Sequence, residues 1–291
     1  MPDLSIVITS YNTRELLRRC LRSIQETKGD LDVEIVVVDN VSKDDSAAMV
    51  RETAPEAKLI EPGYNTFATG GNNLGIDNST GDYILLLNPD TVILPDTLQT
   101  CIAYLRSNPG VGAVSCKSYF PAEPRELQYT CSRFPRYTDL LFDYTFLGVL
   151  FSPWRQRRRA EMWYSGWNRD TDHEVEVIPG SFMMLPAPLL RQIEGYDKII
   201  KLYYVEDDIC QKVIRLGYKV MFLANAVFLH EERASTGQVL RLSSEIYFDD
   251  LIIFTRKYYG NIRAVLLKML VIPTRWAMDT VQRFRGERKN L

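Results

Sequence analysis

The sequence predicts an α/β protein built on a mostly parallel sheet flanked by helices, with further helices at its C-terminus. Three observations carry this expectation. Short aliphatic runs at Leu4–Thr9, Glu34–Asp39 and Tyr83–Leu87 read as strands buried on both faces. Helical apolar spacing recurs between such runs through the first 115 residues, and that alternation favours parallel strands joined by crossover helices. Ser243–Tyr259 and Ile262–Phe284 then hold two more helical patterns, the second kinked at Pro273.

Taken in order, Leu4–Thr9 is a strand rich in β-branched residues. Asn12, with Glu15 three residues on, has the pattern of a capping box. Leu16, Leu17, Cys20, Leu21 and Ile24 mark the buried face of the helix that follows. The second strand ends in Asp39-Asn40, then come a short helix near Asp44–Glu52 and a weaker strand at Lys58–Glu61. Gly63–Gly75 reads as a glycine-rich segment leading to the strand at Tyr83–Leu87. A helix over Pro95–Asn108 and a strand at Val111–Ser115 complete the alternation. From Lys117 to Glu174 aromatics, Pro and Arg interleave with no sustained period. Val175–Ile178 is then a strand, and a helix runs from Asp207 or Asp208 to Leu216, stopped by Gly217. Lys219–Leu223 and Val227–Leu229 are short strands.

Length and composition narrow the class. With 291 residues, 46% hydrophobic and 25% charged, the chain can bury a full core as one large domain or two small ones. Five cysteines, without CxxC or zinc spacing, read as reduced core residues of a cytoplasmic protein. Met1-Pro2-Asp3 runs straight into a strand without a charged-then-apolar leader, and no stretch approaches the ~18 apolar residues of a membrane span. Residues 256–291 hold nine Lys/Arg against two acids, which leaves the preceding body at about −9. Such a split points the tail at an anionic partner.

Four constellations carry chemistry. Leu85-Leu86-Leu87-Asn88-Pro89-Asp90 ends a buried strand in a polar turn, where open α/β sheets bind ligands. A carboxylate there suits a divalent cation on a diphosphate, although Asn88 and Asp90 also make ordinary turn caps. Thr9-Ser10-Tyr11-Asn12 and Asp39-Asn40 end two strands that should be neighbours; Asp39 could accept a pyrimidine N–H and Tyr11 could border the base. Asn65 to Gly75 packs three glycines and three asparagines into eleven residues, a backbone approaching something closely, or a structural loop. It is neither a dinucleotide fingerprint nor a P-loop. Glu206-Asp207-Asp208 crowd three carboxylates before a helix; they favour its dipole, and their repulsion raises at least one pKa toward that of a general base. His230, one of two histidines, ends a strand as a ligand, a phosphate partner or a structural donor.

Over residues 4–236 these pieces, in this order, resemble the family 2 glycosyltransferases of the GT-A fold, especially their rhamnosyltransferase-like branch. The matching motifs are Ser10-Tyr11-Asn12, Val38-Asp39-Asn40, Asn65 with Phe67-Ala68 and Gly71-Asn72-Asn73, Leu86 to Asp90, Gly180 to Leu185, Gly195-Tyr196-Asp197, the acidic cluster, and His230 to Ser235. Two departures stand out. The family's Glu-Asp-x-Asp is Val205-Glu206-Asp207-Asp208 when counted back from Gly217, which puts Glu206 at the catalytic position, or Asp207 if the loop shifts by one. Thr66 follows Asn65 where the family has Gly, and Gly70-Gly71 adds a glycine.

The resemblance implies inverting transfer of rhamnose or a hexose from a nucleotide-diphosphate donor, dTDP-rhamnose first and UDP-sugars next. The acceptor would be a glycan or polyprenyl-linked hydroxyl, in surface polysaccharide synthesis. The implied donor-binding set is Thr9, Tyr11, Asn12, Asp39, Asn40, Asn65, Gly71, Asn72, Asn88 and Gly180. Asp90 with His230 would hold Mg²⁺ or Mn²⁺, and Glu206 or Asp207 would be the base. Residues 1–236 form the expected GT-A domain, with a nucleotide half over 1–115 and an acceptor half over 116–236.

Residues 237–291 form a basic helical segment. Its apolar stretch Ala264–Ile272, flanked by cations and followed by Trp276 and Phe284, reads as an interfacial helix on an anionic membrane or as a helical cap. Leu140–Trp154, followed by Arg155, Arg157, Arg158 and Arg159, is a second such candidate. The expected location is the cytoplasm, at the inner face of the cell membrane. A homo-oligomer is compatible with the sequence. A sugar nucleotidyltransferase would need a Gly-rich, Lys/Arg-bearing loop after the first strand, and Ser10-Tyr11-Asn12-Thr13 supplies none. A non-catalytic sugar-nucleotide binder would have little use for the acids at 90 and 206. No nucleic-acid partner is expected, because the basic tail carries no recognisable binding module.

Overall fold

The structure, a computed structural model, describes residues 1–231 and 240–287. The strands are β1 (Leu4–Ser10), β2 (Val33–Asp39), β3 (Lys58–Ile60), β4 (Tyr83–Leu87), β5 (Thr91–Ile93), β6 (Val111–Tyr119), β7 (Leu127–Gln128), β8 (His173–Val175), β9 (Phe182–Pro186) and β10 (Lys219–His230). They form one sheet in the order β3-β2-β1-β4-β9-β6-β10-β5, with β7 on β6 and β8 on β10. β2, β3 and β4 run parallel to β1 or to each other, and β10 runs parallel to β6. β9 is antiparallel to both β4 and β6, so six of the eight ordered strands point the same way. The sheet is therefore mixed, with the carboxyl ends of β1, β2, β4, β6 and β10 on one edge.

The helices are α1 (Arg14–Thr27), α2 (Ser46–Thr53), α3 (Phe67–Asp77), α4 (Thr97–Ser107), α5 (Tyr137–Tyr144), α6 (Leu147–Leu150), α7 (Ser152–Met162), α8 (Ala187–Gln192), α9 (Val205–Arg215), α10 (Leu240–Tyr259) and α11 (Asn261–Glu287). Period-two alternation in β1 sends Leu4, Ile6 and Ile8 into one core with α1 and α4, and Val7 into another with α8 and α9. A third cluster joins Leu140 of α5 to Phe248, Leu251 and Phe254 of α10 and Leu267 and Val271 of α11. All five cysteines are free and buried.

Several elements differ from expectation. The capping box at Asn12 does not form: Asn12 takes a left-handed φ of 51°, and its Oδ1 accepts the Lys43 N–H at 2.7 Å, across the sheet edge. Glu15 instead pairs with Arg18 at 2.6 Å. The glycine-rich segment is mostly helix, because its glycines let α3 lie against β1. A Cβ on Gly71 would sit 2.4 Å from Thr9 Cγ2, and one on Gly75 only 2.2 Å from Val7 Cγ1. Close packing here outweighs the poor helix propensity of glycine. The strand expected at Val175–Ile178 is shifted to β8, leaving Val177 in a bridge to Ser132. Lys219–Leu223 and Val227–Leu229 are one strand, interrupted only in its register against β6. Ser235 and the 236/237 boundary lie outside the described residues.

Candidate active site

The shared carboxyl edge collects the predicted residues. Register pairs Ser10 with Asp39, Ile8 with Leu87, Leu87 with Phe182, and His230 with Thr91. The turns following these positions carry Tyr11-Asn12, Asn40, Asn88-Pro89-Asp90 and Gly180-Ser181. Backbone bonds lace them together: Asn40 N–H to Ser10 O at 2.8 Å, Asn88 N–H to Ser181 O at 3.1 Å, and Glu231 N–H to Asp90 O at 3.1 Å. Among the described residues, four of the nine left-handed non-glycine residues, Asn12, Val41 (64°), Phe67 (57°) and Tyr204 (62°), lie on segments near this edge.

At the β2 end, Asp39 is buried and its Oδ1 accepts both the N–H and the hydroxyl of Ser42. Burial pushes its carboxyl up, against the pull of those two bonds. Beside it opens a cavity of about 370 Å³ lined by Asp39, Ser42, Lys43, Arg51, Glu61 and Gly63. The larger cavity, about 820 Å³, lies around Asn73, Arg191 and Tyr196 and contains none of the predicted site residues.

The amide-rich segment spends most of its side chains on fixing itself to β1, to the β2 end and to the Tyr196 loop. Asn40 Oδ1 accepts the Thr66 N–H at 3.0 Å and its hydroxyl at 2.6 Å, while Asn40 Nδ2 donates to Phe67 O at 3.0 Å. Asn65 Oδ1 accepts the Phe67 N–H at 2.8 Å, and the Thr9 hydroxyl donates to Asn72 Oδ1 at 2.9 Å. Gly71 is the contact that admits Thr9. Asn73 exchanges two 2.9 Å bonds with the backbone of Tyr196. Tyr11 is half-buried in the bend between β1 and α1.

At the β4 and β10 ends, Asp90 Oδ1 lies 3.3 Å from His230 Nε2. Both Asp90 Oδ1 and His230 Nδ1 are buried without a hydrogen-bond partner among the described residues. An unsatisfied carboxylate oxygen beside an imidazole is a fit donor pair for a hard cation, whose other positions phosphate oxygens and water fill. Among the described residues no group of three or more His, Cys, Asp or Glu forms a complete protein cage.

The acidic cluster divides its labour. Glu206 accepts the Gly180 N–H, and its Oε1 is so close that a Cβ on Gly180 would lie 2.6 Å away. Gly180 neighbours Ser181, which is bonded to Asn88, so Glu206 stands beside the turn that carries Asp90. Burial raises the Glu206 carboxyl. Asp207 is pushed up to about 7, by burial first and by the Glu206 charge second. Crowding is therefore the smaller cause, not the leading one expected. Asp208 is committed elsewhere: Lys257 at 2.5 Å, Lys212 at 3.1 Å and the Tyr258 hydroxyl at 2.7 Å hold it.

The sequence reading missed Ser42 and Asp250, and noted Thr66 only as a departure from the family's Gly. Ser42 and Thr66 sit within two residues of named motifs, a proximity that could have flagged them. Asp250 follows Asp249 and precedes the apolar run Leu251–Phe254, so nothing in the sequence sets it apart from an exposed acid.

The sequence profile described as Glycosyl transferase family 2 matches residues 5–182, more than half the chain. The chain belongs to glycosyl transferase family 2. Rhamnosyltransferase WbbL of Escherichia coli K12 is a family relative 25% identical over 249 residues, 81% of this chain and 88% of its own. The GalNAc(5)-diNAcBac-PP-undecaprenol beta-1,3-glucosyltransferase of Campylobacter jejuni is 30% identical over 104 residues. That match spans 34% of this chain and 33% of the relative, and the succinoglycan biosynthesis protein ExoO of Rhizobium meliloti matches over 29% of its length. Among solved structures, GalNAc-T7 with UDP, GalNAc and Mn²⁺ superposes with a TM-score of 0.61 at 13% identity, over 79% of this chain and 44% of that one. TarS of Staphylococcus aureus gives 0.56 at 13%, over 87% and 40%. The family 2 chain thus has a GT-A-like fold: an open mixed sheet flanked by helices, extended by C-terminal helices.

Proposed function

We propose that this family 2 chain is an inverting, metal-assisted glycosyltransferase. It moves rhamnose or a hexose from a nucleotide-diphosphate sugar to the hydroxyl of a glycan or polyprenyl-linked acceptor, in surface polysaccharide synthesis. The observation that carries this reading is the continuity from Glu206 through Gly180-Ser181 to Asn88 and then to the Asp90–His230 pair. It sets a half-buried carboxylate with a raised pKa beside a candidate phosphate-binding corner.

In this reading Asp39 and the cavity at Ser42 and Lys43 take the nucleoside, bordered by Thr9 and Tyr11. Asn12, Asn40, Asn65, Gly71 and Asn72 shape the donor loop, and Asn88 and Gly180 border the sugar and diphosphate. Asp90 and His230 would hold Mg²⁺ or Mn²⁺, which when bound neutralises charge on the departing diphosphate. The acceptor hydroxyl attacks the anomeric carbon and the bond to the diphosphate oxygen breaks. Glu206 takes the hydroxyl proton, with Asp207 as the alternative base, and the single displacement inverts the anomeric centre. Residues 1–115 serve the donor, 116–236 the acceptor, and 237–291 form the helical extension.

The likeness to WbbL, over 81% of this chain, supports dTDP-rhamnose as the first donor to try, and the Campylobacter glucosyltransferase keeps UDP-hexoses next. Its undecaprenol-linked acceptor favours work at the inner face of the cell membrane. No described helix is long and apolar enough to cross a membrane. A thermal-shift and hydrolysis screen over dTDP-, UDP- and GDP-sugars with Mg²⁺ or Mn²⁺ tests the reading. One donor should raise the melting temperature and turn over; no response to any donor in either metal overturns it.

A further inference from the structure

Helix α11 carries two apolar stripes on opposite sides. At about 100° per residue, Ala264, Leu267 and Val271 share one side, and all three are buried. Leu267 and Val271 lie in the cluster with α5 and α10. Ile262, Val265, Leu266, Met269, Ile272 and Trp276 share the other side, and all six are exposed, from 46% at Leu266 to 80% at Ile262. Single exposed apolar residues are ordinary, but six at helical spacing over four turns make a continuous patch.

The charges lie between the stripes. Arg263 stands at one margin and Lys268 and Arg275 at the other, and residues 261–276 contain no acid. A second copy of this face would bring those cations against cations. A layer of anionic headgroups would meet them, with the long basic side chains reaching out from a helix sunk among acyl chains. The excess of acids in residues 1–255 would be repelled by the same layer, which turns the α11 side toward it. Trp276, at the end of the stripe, has the amphipathic ring favoured at such a boundary.

We infer that the outer face of α11 docks in the plane of an anionic lipid surface. This deepens the proposed work on a lipid-linked acceptor, and vesicle binding is read apart from sugar transfer, so either can fail alone. The test is flotation of the full chain with phosphatidylcholine vesicles, with and without phosphatidylglycerol. The wild type should float with the anionic vesicles and be released by salt. The Leu266→Ser/Met269→Ser variant should lose about tenfold in partitioning, and Arg263→Glu/Lys268→Glu should lose its preference for phosphatidylglycerol. Unchanged melting temperatures in both variants establish that they fold. Equal flotation of wild type and variants overturns the inference. So does a wild-type dimer that Leu266→Ser/Met269→Ser dissociates while none of the proteins floats, which assigns the face to a second copy.

Discussion

The Asp250 carboxylate accepts the backbone N–H of Tyr203 at 3.0 Å, three residues before Glu206. It also takes the N–H groups of Lys201 at 3.0 Å and Leu202 at 2.9 Å. Other residues on the same face of α10 continue the grip. Phe254 stacks on Tyr204 at 4.7 Å, and Lys257 and Tyr258 reach Asp208. The extension at the C-terminus therefore holds the segment that presents the acidic cluster.

Asp250→Asn turns an NH₂ toward one of three donors, which costs about 1–3 kcal/mol. We expect a melting temperature lowered by several degrees. The kcat should fall well beyond any change in donor KM, because the cavity at Asp39, to which the proposal assigns the nucleoside, lies on other elements. A variant that loses stability but keeps kcat would confine Asp250 to a structural role. Steady-state kinetics beside thermal unfolding separate the two.

Gly180→Ala should divide activity from stability in the opposite sense. The new Cβ would meet Glu206 Oε1, the far end of a flexible side chain, so the fold can yield at little cost. The carboxylate cannot yield without leaving its place beside the Asn88 turn. Turnover should drop at least tenfold, on the order of what a misplaced catalytic group costs, with a melting temperature close to wild type. Gly75→Ala is the contrast: its Cβ would press on Val7 of the central strand, destabilising by about 1–3 kcal/mol with kcat retained in the folded fraction.

These glycines also show what a sequence conceals. The aliphatic strands β1, β2 and β4 were legible because burial on both faces leaves an uninterrupted apolar run. Helix α3 was not, since the glycines that dock it on β1 erase the signal of a helix. The carboxylates at 39, 90 and 206 stood out as polar residues ending or following such runs. That Glu206 meets the Asn88-Pro89-Asp90 turn through Gly180-Ser181 depends on β9 pairing antiparallel with β4, a choice of neighbour that no local pattern encodes. Asp250 was hidden because its partners are backbone groups nearly fifty residues away.

Asp207 gives a pH signature. Its carboxyl titrates near 7 in the folded protein against an ordinary 3.8, so between these values the folded state keeps a proton that the unfolded chain releases. Stability contributed by this group is full below the ordinary value and is lost as pH rises through about 7. Asp207→Asn should leave the melting temperature unchanged near pH 3 and raise it at pH 8. Melting curves across that range test this, and an equal effect at both ends would reject burial as the cause. Below about pH 7 Asp207 is protonated and carries no charge, so the same substitution should leave the acid limb of the pH–rate profile in place. Glu206→Gln should abolish that limb and cost about 10²–10⁴ in kcat.

Asp90→Ala addresses the cation directly. Its Oδ1, 3.3 Å from His230 Nε2, is buried and without a hydrogen bond among the described residues, which makes it the oxygen the proposal offers to a cation. The variant loses a burdensome buried oxygen, so its melting temperature without ligand should hold or rise. What should vanish is the extra stabilisation that Mn²⁺ adds in the presence of a nucleoside diphosphate, together with nearly all turnover. His230→Ala, which removes the imidazole of the pair at 3.3 Å and leaves the oxygen ligand a hard cation prefers, should weaken metal-dependent stabilisation less than Asp90→Ala does. Isothermal titration of Mn²⁺ into the protein with nucleoside diphosphate ranks the two variants. Near-normal activity and metal response in Asp90→Ala would remove this corner from the proposed reaction and leave its buried oxygen a structural liability.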